Sequence, residues 1–217
     1  MFLRNKHLLF TLLTMALVII LAACNNGSSS QDAEQQNVDY ASEVKENPVV
    51  TITMENDKKI IIELQPKVAP NTVANFISLV QEGFYNGLTF HRVIPGFMVQ
   101  GGDPNGTGMG GPDYTIKGEF SNNGFENTLT HERGIVSMAR SKAPDSAGSQ
   151  FFIMVEEATH LDGNYAAFGK VIEGMEVVDV IVATERDESD KPLEDQKVKK
   201  VEVDTKGFDY PAPIVQK

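Results

Sequence analysis

Apolar residues occur at every second position in two neighbouring stretches of the chain. Residues 50–54 read VTITM and residues 60–64 read IIIEL, with the polar turn END between them at residues 55–57. A period of two places one row of side chains on each face of a β-strand. The two stretches therefore predict a β-hairpin with a buried face, in a domain that begins near residue 48.

A spacing of three to four residues replaces this alternation after Pro70. Val73, Phe76 and Val80 follow the new spacing, so they lie on one face of a predicted amphipathic helix. Pro70 and Gly83 bound the helix, because proline is favoured in the first helical turn and glycine just beyond the last.

Further apolar runs predict more strands than helices. The predicted strands occupy residues 134–139, 150–155, 166–171 and 201–203. Met175 and Val178 have the spacing of one short second helix, and residues 186–197 predict a charged surface loop. The pattern as a whole predicts a mainly β domain over residues 48–206.

Residues 90–103, FHRVIPGFMVQGGD, place one cation among apolar residues. A proline–glycine pair interrupts the run, and both residue types are poor in helix interiors, so we expect two short strands joined at a corner. Alternation places Arg92 on the face opposite Val93, with Gln100 available from the second strand. An arginine beside apolar residues can also be a structural cation whose head reaches water, and this stretch alone leaves both interpretations open.

The excess of acidic over basic side chains argues against one class of binding partner, the nucleic acids. The 217 residues include 30 acidic and 19 basic side chains, which gives a formal net charge of −11. Nucleic-acid binding needs a basic surface, so we expect no nucleic-acid partner. The single cysteine excludes an internal disulfide.

Metal and nucleotide sites are not predicted. His91, His131 and His160 lack close ligand spacing and cysteine partners, and we expect His91 to hydrogen-bond within the fold as a structural residue. The glycine-rich segment 105–111, NGTGMGG, is followed by Pro112 and not by a helix N-terminus that could meet a phosphate. We therefore expect a loop there, and neither a metal nor a cofactor.

The N-terminal segment 1–23 has the pattern of a targeting sequence. Arg4 and Lys6 precede an apolar run at residues 8–21, which is short for a membrane-spanning helix. The run ends in LAAC, which resembles a bacterial lipobox with Cys24 as the lipid-modified first residue of the mature protein. An uncleaved anchor with an incidental cysteine is the alternative.

Polar or irregular segments flank the predicted domain. Residues 24–47 contain few large apolar side chains and cannot bury enough surface to offset their ordering entropy. We predict that they form a flexible tether between the lipidated cysteine and the domain. Residues 207–217 include two prolines and predict an irregular C-terminal tail.

Two further stretches share a family pattern with residues 90–103. They are GIVSMARSKAPDSAGSQFFIMV at residues 134–155 and LDGNYAAFG at residues 161–169. In order and spacing, the three stretches resemble the signature blocks of the cyclophilins, the peptidyl-prolyl cis–trans isomerases. The resemblance implies a closed eight-stranded antiparallel β-barrel capped by two α-helices.

The resemblance also implies roles for particular residues. Arg92 matches the catalytic arginine, and Gln100 matches the glutamine that orients it and touches the substrate backbone. The implied walls of the proline pocket are Phe97, Met98, Phe152 and Leu161, for which plain core packing is the alternative. The implied groove for residues before the proline consists of Ala139, Arg140, Ser141 and Gln150.

Two substrate-binding candidates depart from the commonest family pattern. His160 stands where many members have tryptophan, and Tyr165 stands where many have histidine. Tyrosine still offers a ring wall and a hydroxyl, so the resemblance implies that the pocket is retained. The missing tryptophan affects the expected binding of cyclosporin more than catalysis.

The implied function is isomerisation of proline-containing unfolded or secreted polypeptides. We expect a monomer, lipid-anchored through Cys24 on the extracytoplasmic face of a Gram-positive cell membrane. A proline-recognition or chaperone module with incidental turnover is the main alternative. A solute-binding lipoprotein shares the lipobox, but it needs two lobes around a cleft, whereas about 160 folded residues fit one domain.

Overall fold

The computed structural model describes residues 40–217, which lie within one compact unit. The predicted signal segment, Cys24 and the first part of the predicted tether lie outside the described residues. The described strands are β1 (Val49–Met54), β2 (Lys59–Leu64), β3 (Thr89–Phe90), β4 (Arg92–Ile94), β5 (Met98–Gly101), β6 (Ile135–Met138), β7 (Phe151–Met154), β8 (Ala167–Glu173) and β9 (Gln196–Asp204). The described helices are α1 (Pro70–Gln81) and α2 (Met175–Val182), with two 3-10 helices at Ser121–Asn123 and Thr159–Leu161 and a helical segment at residues 40–43. In this part of the chain no helix is long and apolar enough to cross a membrane.

One antiparallel sheet curls into a nearly closed barrel. Its strand order is β3-β9-β1-β2-β8-β6-β7-β5-β4. Only His91 separates β3 from β4 in the chain, although the two strands stand at opposite ends of this order. The sheet must therefore curl until its ends meet at His91. The predicted barrel is confirmed, but the described residues form nine strands where eight were predicted, because β3 and β4 pair with different neighbours, β9 and β5.

The predicted hairpin forms one side of the barrel core. Val50 lies opposite Ile62, and Ile52 lies opposite Ile60, in the pairing of β1 with β2. All four side chains are fully buried. The alternation in the sequence is thus confirmed as the inner row of a half-buried sheet.

Helix α1 packs its apolar face against the barrel interior. The ring centroid of Phe76 lies 5.1 Å from that of Phe168 on β8. No side chain of the residue preceding the helix caps its N-terminus. The buried carboxylate of Glu119 accepts the backbone N–H groups of Asn71 and Thr72 instead, at 3.0 and 2.7 Å. Burial raises the pKa of Glu119, and the hydrogen bonds from Thr72 oppose that shift.

The segment before β1 and the C-terminal tail pack against each other. The Tyr40 ring lies 5.5 Å from Tyr210 and 6.0 Å from Phe208 between ring centroids. The Tyr40 hydroxyl donates a hydrogen bond to the Pro70 carbonyl at 2.7 Å. This differs from the prediction, which treated all of residues 24–47 as a flexible tether. The tail has little regular secondary structure, and its aromatic rings anchor it to the domain.

Candidate active site

Strand pairing aligns three of the predicted site residues in one row. Arg92 on β4 lies opposite Gln100 on β5, and Gln100 lies opposite Phe152 on β7. Opposed residues of an antiparallel pair point to the same face of the sheet. Val93 and Val99, which point the other way, belong to the barrel core. The row therefore lies on the outer face of the barrel.

A cavity of about 200 Å³ opens over this row. It is lined by Arg92, Phe97, Met98, Gln100, Ala139, Arg140, Phe152, Leu161 and Tyr165. An adjoining cavity of about 390 Å³ shares Gln100, Ala139 and Arg140, and it adds Ser141 and Gln150. Of the predicted site residues within 40–217, only His160 lines neither cavity.

His160 lies behind the cavity wall. Its ring stacks on Phe97, with centroids 5.9 Å apart and planes inclined by 27°. His160 itself is exposed, so it can support Phe97 from the solvent side without facing the cavity.

The apolar wall residues form a cluster separate from the barrel core. Met98, Phe152 and Leu161 are 2%, 5% and 7% exposed and belong to this second cluster. Phe97 and Tyr165 pack against its edge. These residues are thus both well packed and exposed on one side to the cavity, which makes its floor rigid and apolar.

The guanidinium of Arg92 is loosely held. Its side chain is 44% exposed, and the nearest carboxylate oxygen, Oδ2 of Asp190, lies 3.9 Å from Nε. The family resemblance implied that Gln100 orients this arginine. Within the described residues Gln100 makes no hydrogen bond to it, and Nε2 of Gln100 donates to Oε1 of Gln150 at 2.9 Å.

Arg140, at the other end of the cavity, is held on every side. Its Nε and Nη2 donate to the Asn164 carbonyl at 2.9 and 2.7 Å, and its Nη1 donates to the Ser141 carbonyl at 2.9 Å. The guanidinium carbon lies 5.0 Å from the Phe120 ring centroid and 4.7 Å from that of Tyr165. Hydrogen bonds and cation–π contacts together fix the Tyr165 wall.

His131 supports the cavity floor, a position that the sequence analysis did not assign to it. Its ring stacks beneath Phe152, with centroids 6.0 Å apart and planes inclined by 20°. Nδ1 lies 2.8 Å from Asp162 Oδ1, and Nε2 lies 3.0 Å from Ser137 Oγ. Burial lowers the pKa of His131, against the opposing hydrogen bond to Asp162. A neutral ring that donates to Asp162 and accepts the Ser137 hydroxyl satisfies all three groups.

His91 was expected to hydrogen-bond within the fold, and that prediction was wrong. The residue is 5% exposed, and neither ring nitrogen has a partner among the described residues. Burial lowers the pKa of His91, while the nearby charge of Asp103 opposes the shift. Residues 40–217 contain no group of three or more His, Cys, Asp or Glu side chains placed to hold a metal ion.

Known proteins match both the chain and its fold. The family described as cyclophilin type peptidyl-prolyl cis-trans isomerase matches residues 49–203. Peptidyl-prolyl cis-trans isomerase B of Bacillus subtilis is 56% identical over 123 residues, which cover 57% of this chain and 82% of the relative. A peptidyl-prolyl cis-trans isomerase of Helicobacter pylori is 49% identical over 128 residues, covering 58% of this chain and 76% of that protein.

A solved structure agrees with the barrel. It is a Cryptosporidium parvum cyclophilin type peptidyl-prolyl cis-trans isomerase in the presence of the dipeptide Ala-Pro. It superposes with a TM-score of 0.65 at 35% identity, over 70% of this chain and 96% of that chain. The barrel and these relatives define an isomerase enzyme. The chain belongs to the cyclophilin-type peptidyl-prolyl cis-trans isomerase family.

Proposed function

We propose that Arg92 and the apolar cavity beside it accelerate X-Pro isomerisation in polypeptides that fold outside the cytoplasmic membrane. The observation that carries the proposal is the row formed by Arg92, Gln100 and Phe152 beneath one cavity on the outer face of the barrel. A partly exposed cation beside an apolar cavity floor suits a reaction in which the proline ring is held while the X-Pro peptide bond is twisted.

The reaction needs neither a nucleophile nor a metal. Rotation through the perpendicular state costs about 18–20 kcal/mol, because amide resonance is lost. Only before proline is the cis form cheap enough to be populated appreciably. A catalyst must therefore bind the twisted amide more tightly than the planar one.

Arg92 supplies the differential binding. Twisting localises a lone pair on the prolyl nitrogen, which becomes a hydrogen-bond acceptor. The guanidinium is a suitable donor because it is permanently charged and planar. Since the nitrogen accepts only once its lone pair is localised, this hydrogen bond forms only when the amide is twisted. A charge-assisted hydrogen bond contributes about 1.5–3 kcal/mol, or about 10- to 100-fold in rate.

The apolar wall holds the proline ring, and the adjoining cavity holds what precedes it. Phe97, Met98, Phe152 and Leu161 exclude water from the ring and restrict its motion. Ala139, Arg140, Ser141, Gln150 and Tyr165 border the path of the preceding residues. The Ala-Pro dipeptide of the related Cryptosporidium protein supports proline-containing peptides as the substrate class.

Cys24 places this activity at a membrane. The basic Arg4 and Lys6, the apolar run and the LAAC motif support cleavage before Cys24 and lipidation of that residue. We place the domain as a monomer on the extracytoplasmic face of a Gram-positive membrane.

A coupled proteolysis assay on a short X-Pro peptide tests the catalytic proposal. The wild-type chain should accelerate cis–trans exchange, and Arg92→Ala should lose most of that acceleration. Lys142→Ala is the matched control, because it removes a cation from the nearby loop at a position that itself lines neither cavity. Full activity in Arg92→Ala would favour the alternative, a proline-recognition or chaperone module in which turnover is incidental.

Metabolic labelling with a fatty-acid analogue tests the anchor. Cys24→Ala should lose the label and leave the membrane fraction, while the isomerase activity of the chain stays unchanged. A Cys24→Ala chain that is still acylated and membrane-bound would exclude this cysteine as the lipid site.

A further inference from the structure

Arg92 lies on the edge strand of the sheet, next to a charged loop. β4 is the last strand in the order, so one side of its backbone has no strand partner. The Val93 N–H donates instead to the carbonyl of Asp190 at 2.8 Å. The loop that leads into β9 therefore docks on the strand that carries Arg92.

The docked loop is held in a defined conformation. The Asp190 N–H donates to the Asp187 carbonyl at 3.1 Å, and Oδ1 of Asp187 accepts the N–H groups of Ser189 and Lys191 at 2.8 and 3.0 Å. Asp190 itself has a φ of 64°, a left-handed conformation that aspartate and asparagine tolerate better than most residues. These bonds set the position of the Asp190 carboxylate.

That carboxylate is divided between two arginines. Its Oδ1 accepts a hydrogen bond from Arg186 Nε at 3.1 Å, and its Oδ2 lies 3.9 Å from Arg92 Nε. Among residues 40–217, Asp190 is the only ion-pair or hydrogen-bond partner of the Arg92 guanidinium. Because the contact is made at Nε, both terminal amino groups of Arg92 stay available to the cavity.

We propose that Asp190 is a positioning residue, which restrains Arg92 by its Nε edge and so points Nη1 and Nη2 at the prolyl nitrogen. The inference rests on the proposed role of Arg92 and assigns to Asp190 the orienting task that Gln100 does not perform within the described residues. Asp190 touches no substrate and acts only through the arginine.

Asp190→Asn is the sharpest test, because asparagine keeps the size, the left-handed backbone and an oxygen for Arg186 while the charge is lost. We expect kcat to fall about threefold to fivefold with little change in KM, the scale of a partly exposed ion pair. Glu188→Gln is the matched control, since it removes one charge from the same loop, where Glu188 forms no ion pair or hydrogen bond with the described residues. It should keep the wild-type kcat.

A double-mutant cycle separates positioning from a general loop effect. In an Arg92→Ala background, Asp190→Asn should cause no further loss of kcat. Asp190→Gly is a second variant in case the asparagine variant unfolds at lower temperature, because glycine also tolerates the positive φ. It should show the same loss of kcat as Asp190→Asn.

Three outcomes would overturn the inference. Asp190→Asn could keep the wild-type kcat while Arg92→Ala loses it, which would leave the proposed function intact. Glu188→Gln could lose as much activity as Asp190→Asn, or Asp190→Asn could cost the same factor in both backgrounds. Full activity in Arg92→Ala itself would instead overturn the proposed function, and this inference with it.

Discussion

Two arginines line the same cavity and are held in opposite ways. Arg92 is 44% exposed and touches one carboxylate at 3.9 Å. Arg140 donates three short hydrogen bonds to two backbone carbonyls and lies over the rings of Phe120 and Tyr165. The guanidinium of Arg92 has free N–H donors, whereas most N–H donors of Arg140 are already hydrogen-bonded.

Under the proposed mechanism, the difference separates a catalytic arginine from a structural one. A donor that must meet an acceptor formed only in the transition state cannot already be bonded in the free enzyme. A donor that ties two loops together must be bonded in the free enzyme. The sequence gives both residues as arginines beside apolar strands, so only their surroundings distinguish the two roles.

The largest expected effect is that of replacing Phe152, which lines the same cavity as the two arginines. Phe152→Ala should lower the free energy of unfolding by about 3 kcal/mol, because the ring is 5% exposed and its loss leaves a void under the cavity. It should also weaken substrate binding. Denaturant unfolding and the KM for an X-Pro peptide measure the two effects, and an unchanged unfolding midpoint would contradict the packing described here.

Arg92→Ala should lower kcat by about 10- to 100-fold while the free energy of unfolding changes by less than about 0.5 kcal/mol. Arg92→Lys should also be poor, since an ammonium lacks the planar fork. Thermal unfolding and peptide isomerisation on the same preparations make the comparison. A large drop in stability would show that Arg92 is a structural cation after all.

Arg140→Ala should have the reverse profile. Removing its hydrogen bonds leaves the Asn164 carbonyl without its donors, so we expect a loss of about 1–2 kcal/mol in unfolding free energy. We expect KM to rise, because Tyr165 loses its cation–π partner, while kcat stays near wild type. A loss of kcat comparable to that of Arg92→Ala would remove the distinction between the two arginines.

The smallest effect is a pH dependence at the Arg140 end, where the His131 ring meets Tyr165 edge-on. Burial lowers the pKa of His131 in the folded state below its ordinary value of 6.5. The unfolded chain therefore binds more protons in acid, and stability that is present above pH 6.5 is lost progressively as the pH falls from 6.5 towards the lower folded-state pKa of His131.

Burial also lowers the pKa of His91, so this residue adds to the loss of stability in acid. Thermal unfolding between pH 8 and pH 5 measures this pH dependence of stability. His131→Gln should reduce the slope of the unfolding free energy against pH by less than about 1.4 kcal/mol per pH unit. A curve that is equally steep in His131→Gln would show that His131 does not titrate on unfolding.

Much of the fold and most of the site could be predicted, for a local reason. The period of two in β1 and β2, the period of three to four in α1, and the Pro95–Gly96 corner each depend on neighbouring residues alone. The wall residues of the cavity occur within three short family blocks, so the resemblance could assign them together. The contacts of these residues could not be predicted in the same way.

By itself, the sequence determined the order of elements, which residues face inward, and the residue types available to the cavity. Tertiary structure alone decided which partner each polar group obtained. Glu119 caps a helix that begins 49 residues earlier, Asp162 holds a histidine 31 residues away, and Asp190 reaches Arg92 across the closure of the barrel. Periodicity depends on near neighbours, whereas a buried donor takes whichever acceptor the closed barrel brings within reach.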